Sequence, residues 1–112
     1  MILTPKEIIK KQAVFTKADI EIVAVFKVLS DINRYRIFRI LADQPKISVT
    51  DIARILNISV PLASQHLKIL AQNKMLQKER DGKKIFPKIE RDNAFVHALI
   101  KTIKKIFPLN NA

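Results

Sequence analysis

A mainly helical domain with a single two-stranded β-hairpin is predicted by three observations. Apolar residues recur at helical spacing through most of the chain. Two short helical patterns meet at a tight turn within Ser48 to Leu70, and the only glycine, Gly82, sits in an Asp-Gly pair between two short extended runs. The chain has 112 residues, enough for one domain with a modest core, and at 48% hydrophobic it is expected to fold rather than stay disordered. We expect a single domain over 1–112: N-terminal helices over 1–29, a helical core over 30–74, a hairpin over 75–89 and a C-terminal helix over 91–107.

From the N-terminus, Thr4-Pro5-Lys6-Glu7 has the form of a capping box and opens a short helix through about Val14; Thr16 with Asp19 forms a second. The helix that follows has Ile20, Val23, Ala24, Lys27 and Val28 at helical spacing, which predicts one largely apolar face, interrupted at Ser30 and Asp31. Asn33 to Ala42 is the next helix, with Tyr35, Phe38, Leu41 and Ala42 facing inward and Arg34, Arg36 and Arg39 more exposed. Gln44-Pro45-Lys46 then turns the chain.

In 48–72 the local signals agree. Ser48 is an N-cap with Asp51 three residues on, and Ile52, Ala53, Ile55 and Leu56 follow as apolar positions. Asn57 ends that helix and Ile58 plugs the junction. Ser59 caps the next helix, and Pro61 falls in its first turn, where a missing N–H costs little. Ala63, Leu67 and Leu70 then recur at i, i+4 and i+7 toward a core, leaving Leu62, Ser64, Gln65 and Lys68 outward. Two short helices joined this way form a helix-turn-helix, and the small polar and basic groups on its second helix suit the DNA major groove.

Asn73 is placed to end that helix in a left-handed conformation. Met75 to Arg80 and Lys83 to Ile89 then read as strands joined at Asp81-Gly82, a strong signal for a two-residue hairpin turn. A hairpin directly after a helix-turn-helix makes a winged helix. Arg80, Lys83 and Lys84 at its tip are either a solvated charged turn or contacts to phosphates or a minor groove. Arg91 to Phe107 reads as a helix with Phe95, Ala98, Leu99, Thr102, Ile103 and Ile106 on one side, and Val96 and Ile100 extend the apolar surface beyond what one small domain covers. Either the helix packs on its own core or it meets a second copy through Phe95, Leu99, Ile103 and Ile106.

The charge balance narrows the partners. With 21 Lys and Arg against 10 Asp and Glu, a net charge of +11 predicts attraction to a polyanion, nucleic acid first and an anionic membrane second. Lys101, Lys104 and Lys105 are all that favours the membrane. No apolar run approaches spanning length and the start of the chain lacks a signal-peptide core, so a cytoplasmic protein is expected. The absence of cysteine excludes disulfides, thiolate metal ligands and cysteine nucleophiles. No glycine-rich phosphate loop occurs, and Ser64 and His66, two apart on a helix, point in different directions, so no enzyme is expected and no cofactor.

From about Phe26 to Ile89, FKVLSDINRYRIFRIL, SVTDIARILNISVPLASQHLKIL and the DGKKIF hairpin together resemble the ArsR/SmtB family of dimeric winged-helix repressors. The resemblance covers a little over half the chain. Its most specific piece is Ser59 to Leu70, where Ser64, His66, Leu67, Lys68 and Leu70 match the family's recognition-helix wording; Val60 and Leu62 stand where polar or small residues are usual, so base preference does not carry over. The resemblance implies a winged helix-turn-helix with N- and C-terminal dimerisation helices. It also implies a homodimer that binds an inverted repeat of double-stranded DNA, with half-sites roughly 34 Å apart, and represses transcription until an effector intervenes. Ser64, Gln65 and Lys68 are the main groove-face candidates, with Ser59, Val60 and Pro61 at the leading end; Gln65 is the candidate base reader, since its amide can bond adenine bidentately. Lys68, Arg80, Lys83 and Lys84 are expected at phosphates, and Arg34, Arg36 and Arg39 either join them or form a solvated face. A sequence-tolerant architectural DNA-binding protein and a winged-helix protein-interaction module stand as alternatives.

Many members of that family sense metals, and here the sequence departs from them. One class places cysteines where this chain has Ile47, Ser48, Val49, Thr50 and Asp51. Another uses Asp and His at the start of the C-terminal helix; Asp92 matches the first, but Ala94 replaces the His and the later positions fall near Lys105 and Pro108. Asp92 and His97, about 140° apart around a helix, cannot close one site within a chain, and two symmetry-related His97 rings make a poor zinc site. No metal site is expected, the effector is left unidentified, and His66 and His97 are read as structural, with a base contact or a ligand role for His66 the weaker options.

Overall fold

The computed structural model describes residues 2–44 and 46–108. Six helices and one hairpin follow in the order α1 (Pro5–Gln12), α2 (Lys17–Leu29), α3 (Ile32–Asp43), α4 (Val49–Leu56), α5 (Val60–Gln72), β1 (Leu76–Asp81), β2 (Lys84–Ile89) and α6 (Ala94–Ile106). Side-chain caps set most of the helix starts. Thr4 with Glu7 and Thr16 with Asp19 form the two expected capping boxes, and Asp31, Ser48, Ser59 and Asn93 each accept from backbone N–H groups of the following turn. Asn93 takes the N–H groups of Phe95 and Val96, so α6 starts at Ala94 rather than Arg91. Pro108 disfavours a helical Phe107, and the helix stops at Ile106.

The core is one cluster. Phe38 and Ile37 of α3, Ile52 of α4, Leu70 of α5, Met75, Ile89 of β2 and Val96 of α6 are fully buried at its centre. By ~25 cal/mol per Å2, each such side chain contributes on the order of 1.5–3 kcal/mol. α1 contributes nothing to it, as none of its residues is buried. The long axis measures 59 Å against 29 and 24 Å, and the radius of gyration of 17.7 Å exceeds the roughly 13 Å of a compact chain this long.

Several expected faces turn out differently. In α2 the core side is Val25 and Val28 with Ile22 and Leu29 half-buried, whereas Ile20 and Val23 are exposed. The helix is apolar on two sides, so periodicity alone selects neither. In α3, Ile37 rather than Tyr35 is in the core and Tyr35 is half-buried. Arg34 and Arg39 are also half-buried, leaving only Arg36 of the three arginines exposed. Arg39 lies 6.0 Å from the Tyr35 ring and 5.7 Å from that of Phe107, and its Nη2 donates to the Phe107 carbonyl at 2.7 Å, pinning the end of α6 to α3. In α6 it is Val96 and Ile100 that fill the core, while Phe95, Leu99 and Ile103 are half-buried and Ala98, Thr102 and Ile106 exposed. His97 is exposed and is not a core histidine.

Two turns also shift by one residue. At the end of α5, Asn73 has φ −98° and its amide donates to the Ile69 carbonyl, while the left-handed residue is Lys74 at φ 59°. The Asn73 backbone N–H reaches the same carbonyl, so Asn73 closes the last turn of the helix with two bonds and the reversal falls on its neighbour. In the hairpin Asp81 pairs with Lys84, so Gly82 and Lys83 are the turn residues rather than Asp81 and Gly82. Gly82 takes φ 64° at the first central position, where a side chain would be strained. The ladder runs to Leu76 opposite Ile89, and the Glu90 N–H donating to the Met75 carbonyl extends it by one further bond into the core.

Candidate nucleic-acid interface

The helix-turn-helix is closed by backbone chemistry at its three-residue turn. Asn57 adopts the left-handed conformation at φ 55°, and the Ile58 N–H donates back to the Ala53 carbonyl at 3.0 Å. Ile58 is half-buried at the junction, and Ser59 accepts from the Leu62 N–H at 3.2 Å to start α5. The Ser59 hydroxyl is therefore committed to capping.

α5 is held by one side. Ala63, His66 and Leu70 are buried and Leu67 and Ile69 half-buried. The opposite side is open: Pro61, Ser64, Gln65 and Lys68 are all exposed and, at ~100° per residue, lie within about 100° of arc. Val60 and Leu62 at the leading end are 40% and 36% exposed, a small apolar edge beside the polar strip. At ~1.5 Å per residue the helix is about 20 Å long, enough to lie across a major groove.

The hairpin is about 20 Å long at ~3.4 Å per residue, and Arg80, Lys83 and Lys84 are exposed at its far end. Lys46, preceding α4, makes a 3.1 Å ion pair with Asp81, which ties the far end of β1 to the helix-turn-helix. Both partners are over half exposed, so its contribution is of the order of ~0.2–1 kcal/mol, enough to bias an orientation rather than to fix it. Sequence reasoning missed this pair because Lys46 and Asp81 are remote in the chain. It also passed over Arg54, whose side chain is 81% exposed on α4; the outward slot between Ala53 and Ile55 was the available signal.

The two buried faces meet at Arg34. Its Nε donates to the Val28 carbonyl at 2.7 Å, its Nη1 lies 3.3 Å from His66 Nδ1, and Asp31 stands 4.0 Å away. The backbone N–H of Arg34 above all holds the Asp31 carboxyl below its usual range; partial burial opposes, and His66, the Arg34 guanidinium and the Asn33 N–H act in the lowering direction. His66 is a buried histidine with an identified partner.

Phe95, Leu99, Ile103 and Ile106 lie along the edge of α6 away from Val96 and Ile100, and Phe95 meets the half-exposed Phe26 edge-on at 5.6 Å between ring centres. Asp92 is exposed beside Glu90 in the turn before α6, and among the described residues no three His, Asp or Glu side chains gather into a metal-binding group. Among the described residues no helix is long and apolar enough to cross a membrane.

Residues 31–78 match the model of the bacterial regulatory protein, arsR family, a span running from the cap of α3 through the helix-turn-helix into the first strand. The HTH-type transcriptional regulator YgaV of Escherichia coli is 30% identical over 84 residues, covering 75% of this chain and 83% of that protein. The chain belongs to the arsR family. A cadmium resistance transcriptional regulatory protein, CadC of Listeria innocua, is 38% identical over 61 residues. This arsR-family chain matches about half of that relative's length, 51%, and the match covers 54% of the chain itself. In fold it is similar to the homodimeric winged helix-turn-helix DNA-binding domain of Mb0332 from Mycobacterium bovis, with a TM-score of 0.64 and 22% identity over 77% of each chain. The family is one of transcriptional regulators, which are not enzymes.

Proposed function

We propose that this arsR-family chain is a homodimeric repressor that binds an inverted-repeat operator. The observation that carries the reading is the division of α5 into a buried face and an open strip of Pro61, Ser64, Gln65 and Lys68, flanked by the basic wing tip. In it Gln65 reads a base edge, Ser64 supports it, and Val60 and Leu62 offer apolar contact to thymine methyls. Lys68, Arg80, Lys83, Lys84 and Arg54 bind phosphates. Pairing of two copies through the outer edge of α6 and the exposed apolar residues of α1 and α2 sets the half-site spacing, and the homodimeric Mb0332 domain supports that assembly. The related CadC is a cadmium resistance regulator, yet this chain has no cysteine and seats Ser48 as a helix cap where thiolates would be required, so its regulation is independent of thiophilic metals. Its place of action is the cytoplasm.

A mobility-shift titration with genomic fragments at two salt concentrations tests the reading. Selected fragments should be retained at the higher salt and be released neither by zinc nor by cadmium. Loss of all fragments in competition with random DNA indicates an architectural binder, and failure to shift any fragment a protein-interaction module; either result overturns the proposal.

A further inference from the structure

Arg34 joins three elements at the back of α5. Its guanidinium ties the last turn of α2, through the Val28 carbonyl, to the Asp31 cap of α3 and to the buried ring of His66. A guanidinium carries only donors, so a hydrogen bond at this contact requires Nδ1 to accept, which only a neutral ring with its proton on Nε2 can do. The other buried residues on α3, α4, α5 and β1 are all apolar, Ile37, Phe38 and Ile52 among them. Arg34 touches the imidazole and Asp31 interacts with both.

We infer that Arg34 and His66 are positioning residues for operator recognition, holding the reading face of α5 through a bond that exists only while His66 is neutral. The inference rests on the DNA-reading assignment of α5. His66 lies one residue from Gln65 and two from both Ser64 and Lys68, so the Arg34 contact anchors from behind the turn of α5 that carries them, and its loss frees that turn to shift. Protonation converts the acceptor into a donor and leaves two cations 3.3 Å apart, while the nearby Asp31 carboxylate keeps a protonated ring from being expelled outright. The outcome is a re-posed helix rather than an unfolded one. Nonspecific attraction should rise with the added positive charge as operator preference falls, a combination that simple destabilisation does not produce.

The full-length chain is titrated on a selected operator fragment and on its scrambled version, at about pH 8 and about pH 5.5, either side of the ordinary imidazole range. Loss of one charge-assisted bond predicts that the ratio of the two affinities falls by roughly tenfold in the wild type. His66→Asn, whose amide oxygen can stand near the Nδ1 position without titrating, should keep the ratio and flatten its pH profile. His66→Leu, which fills the space without an acceptor, should show the low ratio at both pH values, and His97→Gln should follow the wild type. A wild-type profile in His66→Asn, or an undiminished ratio in His66→Leu, overturns the inference alone; a wild type that selects no fragment at either pH overturns the DNA reading on which it rests. Nitrogen-15 NMR of the imidazole, which needs no DNA, should find Nδ1 unprotonated at about pH 8, and a protonated Nδ1 there removes the contact itself.

Discussion

The helix-turn-helix and the terminal helices solve the same problem to different degrees. α4 and α5 are amphipathic helices whose buried sides meet a core from the same chain, and what remains outside on α5 beyond its first turn is mainly Ser64, Gln65, Lys68 and Gln72. α1, α2 and the link between them also carry many apolar residues, but Ile8, Ile9, Val14, Phe15, Ile20, Val23 and Phe26 are all exposed, and on the outer edge of α6 Phe95, Leu99 and Ile103 are only half-covered and Ile106 is exposed. Apolar surface that is left uncovered costs free energy in proportion to its area, so the first region is closed by its own chain, while the second leaves apolar area for the proposed pairing to cover.

The sharpest way to break that contrast is at the shared core. Leu70→Ala removes a fully buried side chain from the root of α5 and should cost ~2–5 kcal/mol in a urea unfolding curve. A loss below ~1 kcal/mol would mean that α5 is not held from behind as described. Ile106→Glu, at the exposed end of the outer edge of α6, should leave the helical signal intact while weakening self-association by roughly tenfold, about 1.4 kcal/mol, in sedimentation equilibrium. Unchanged self-association would move the seam elsewhere.

Gln65→Ala separates reading from holding. It should lose ~1–3 kcal/mol on the selected fragment and relax preference at one base pair, with the melting temperature unchanged. Equal losses on scrambled DNA would remove Gln65 as a reader. The smallest effect is at Asp31, whose carboxyl is held below its usual range. A lowered folded-state value contributes stability above the unfolded value of 3.8 that disappears as the pH falls through the folded one. Asp31→Asn should therefore be less stable than the wild type at neutral pH and converge with it in acid. Curves that stay apart in acid would place the stabilisation in something other than the carboxylate's charge.

Local chemistry made much of this molecule legible in advance. Caps at Thr4, Thr16, Ser48 and Ser59, the helix end at Asn57 and the lone glycine of the hairpin are each decided by a few neighbouring residues, because short polar side chains satisfy backbone groups only within their own turn. The strip of Ser64, Gln65 and Lys68 follows in the same way from helix geometry. Faces were less legible where a helix is apolar on two sides. In α2 and α6 the choice between Ile20 and Val25, or between Leu99 and Val96, depends on which side the rest of the chain covers, and periodicity is blind to that.

The amino-acid sequence by itself determined the element order, the caps, the turn between α4 and α5, the basic charge and the absence of thiol chemistry, since each depends on composition or on contacts within a few residues. Only the tertiary structure decided that Arg34 turns inward to His66, that Arg39 closes on Phe107, and that Lys46 holds Asp81 beside the wing. Those pairs are 32, 68 and 35 residues apart in the chain, and a long cationic side chain reads the same from sequence whether it reaches solvent or a distant acceptor.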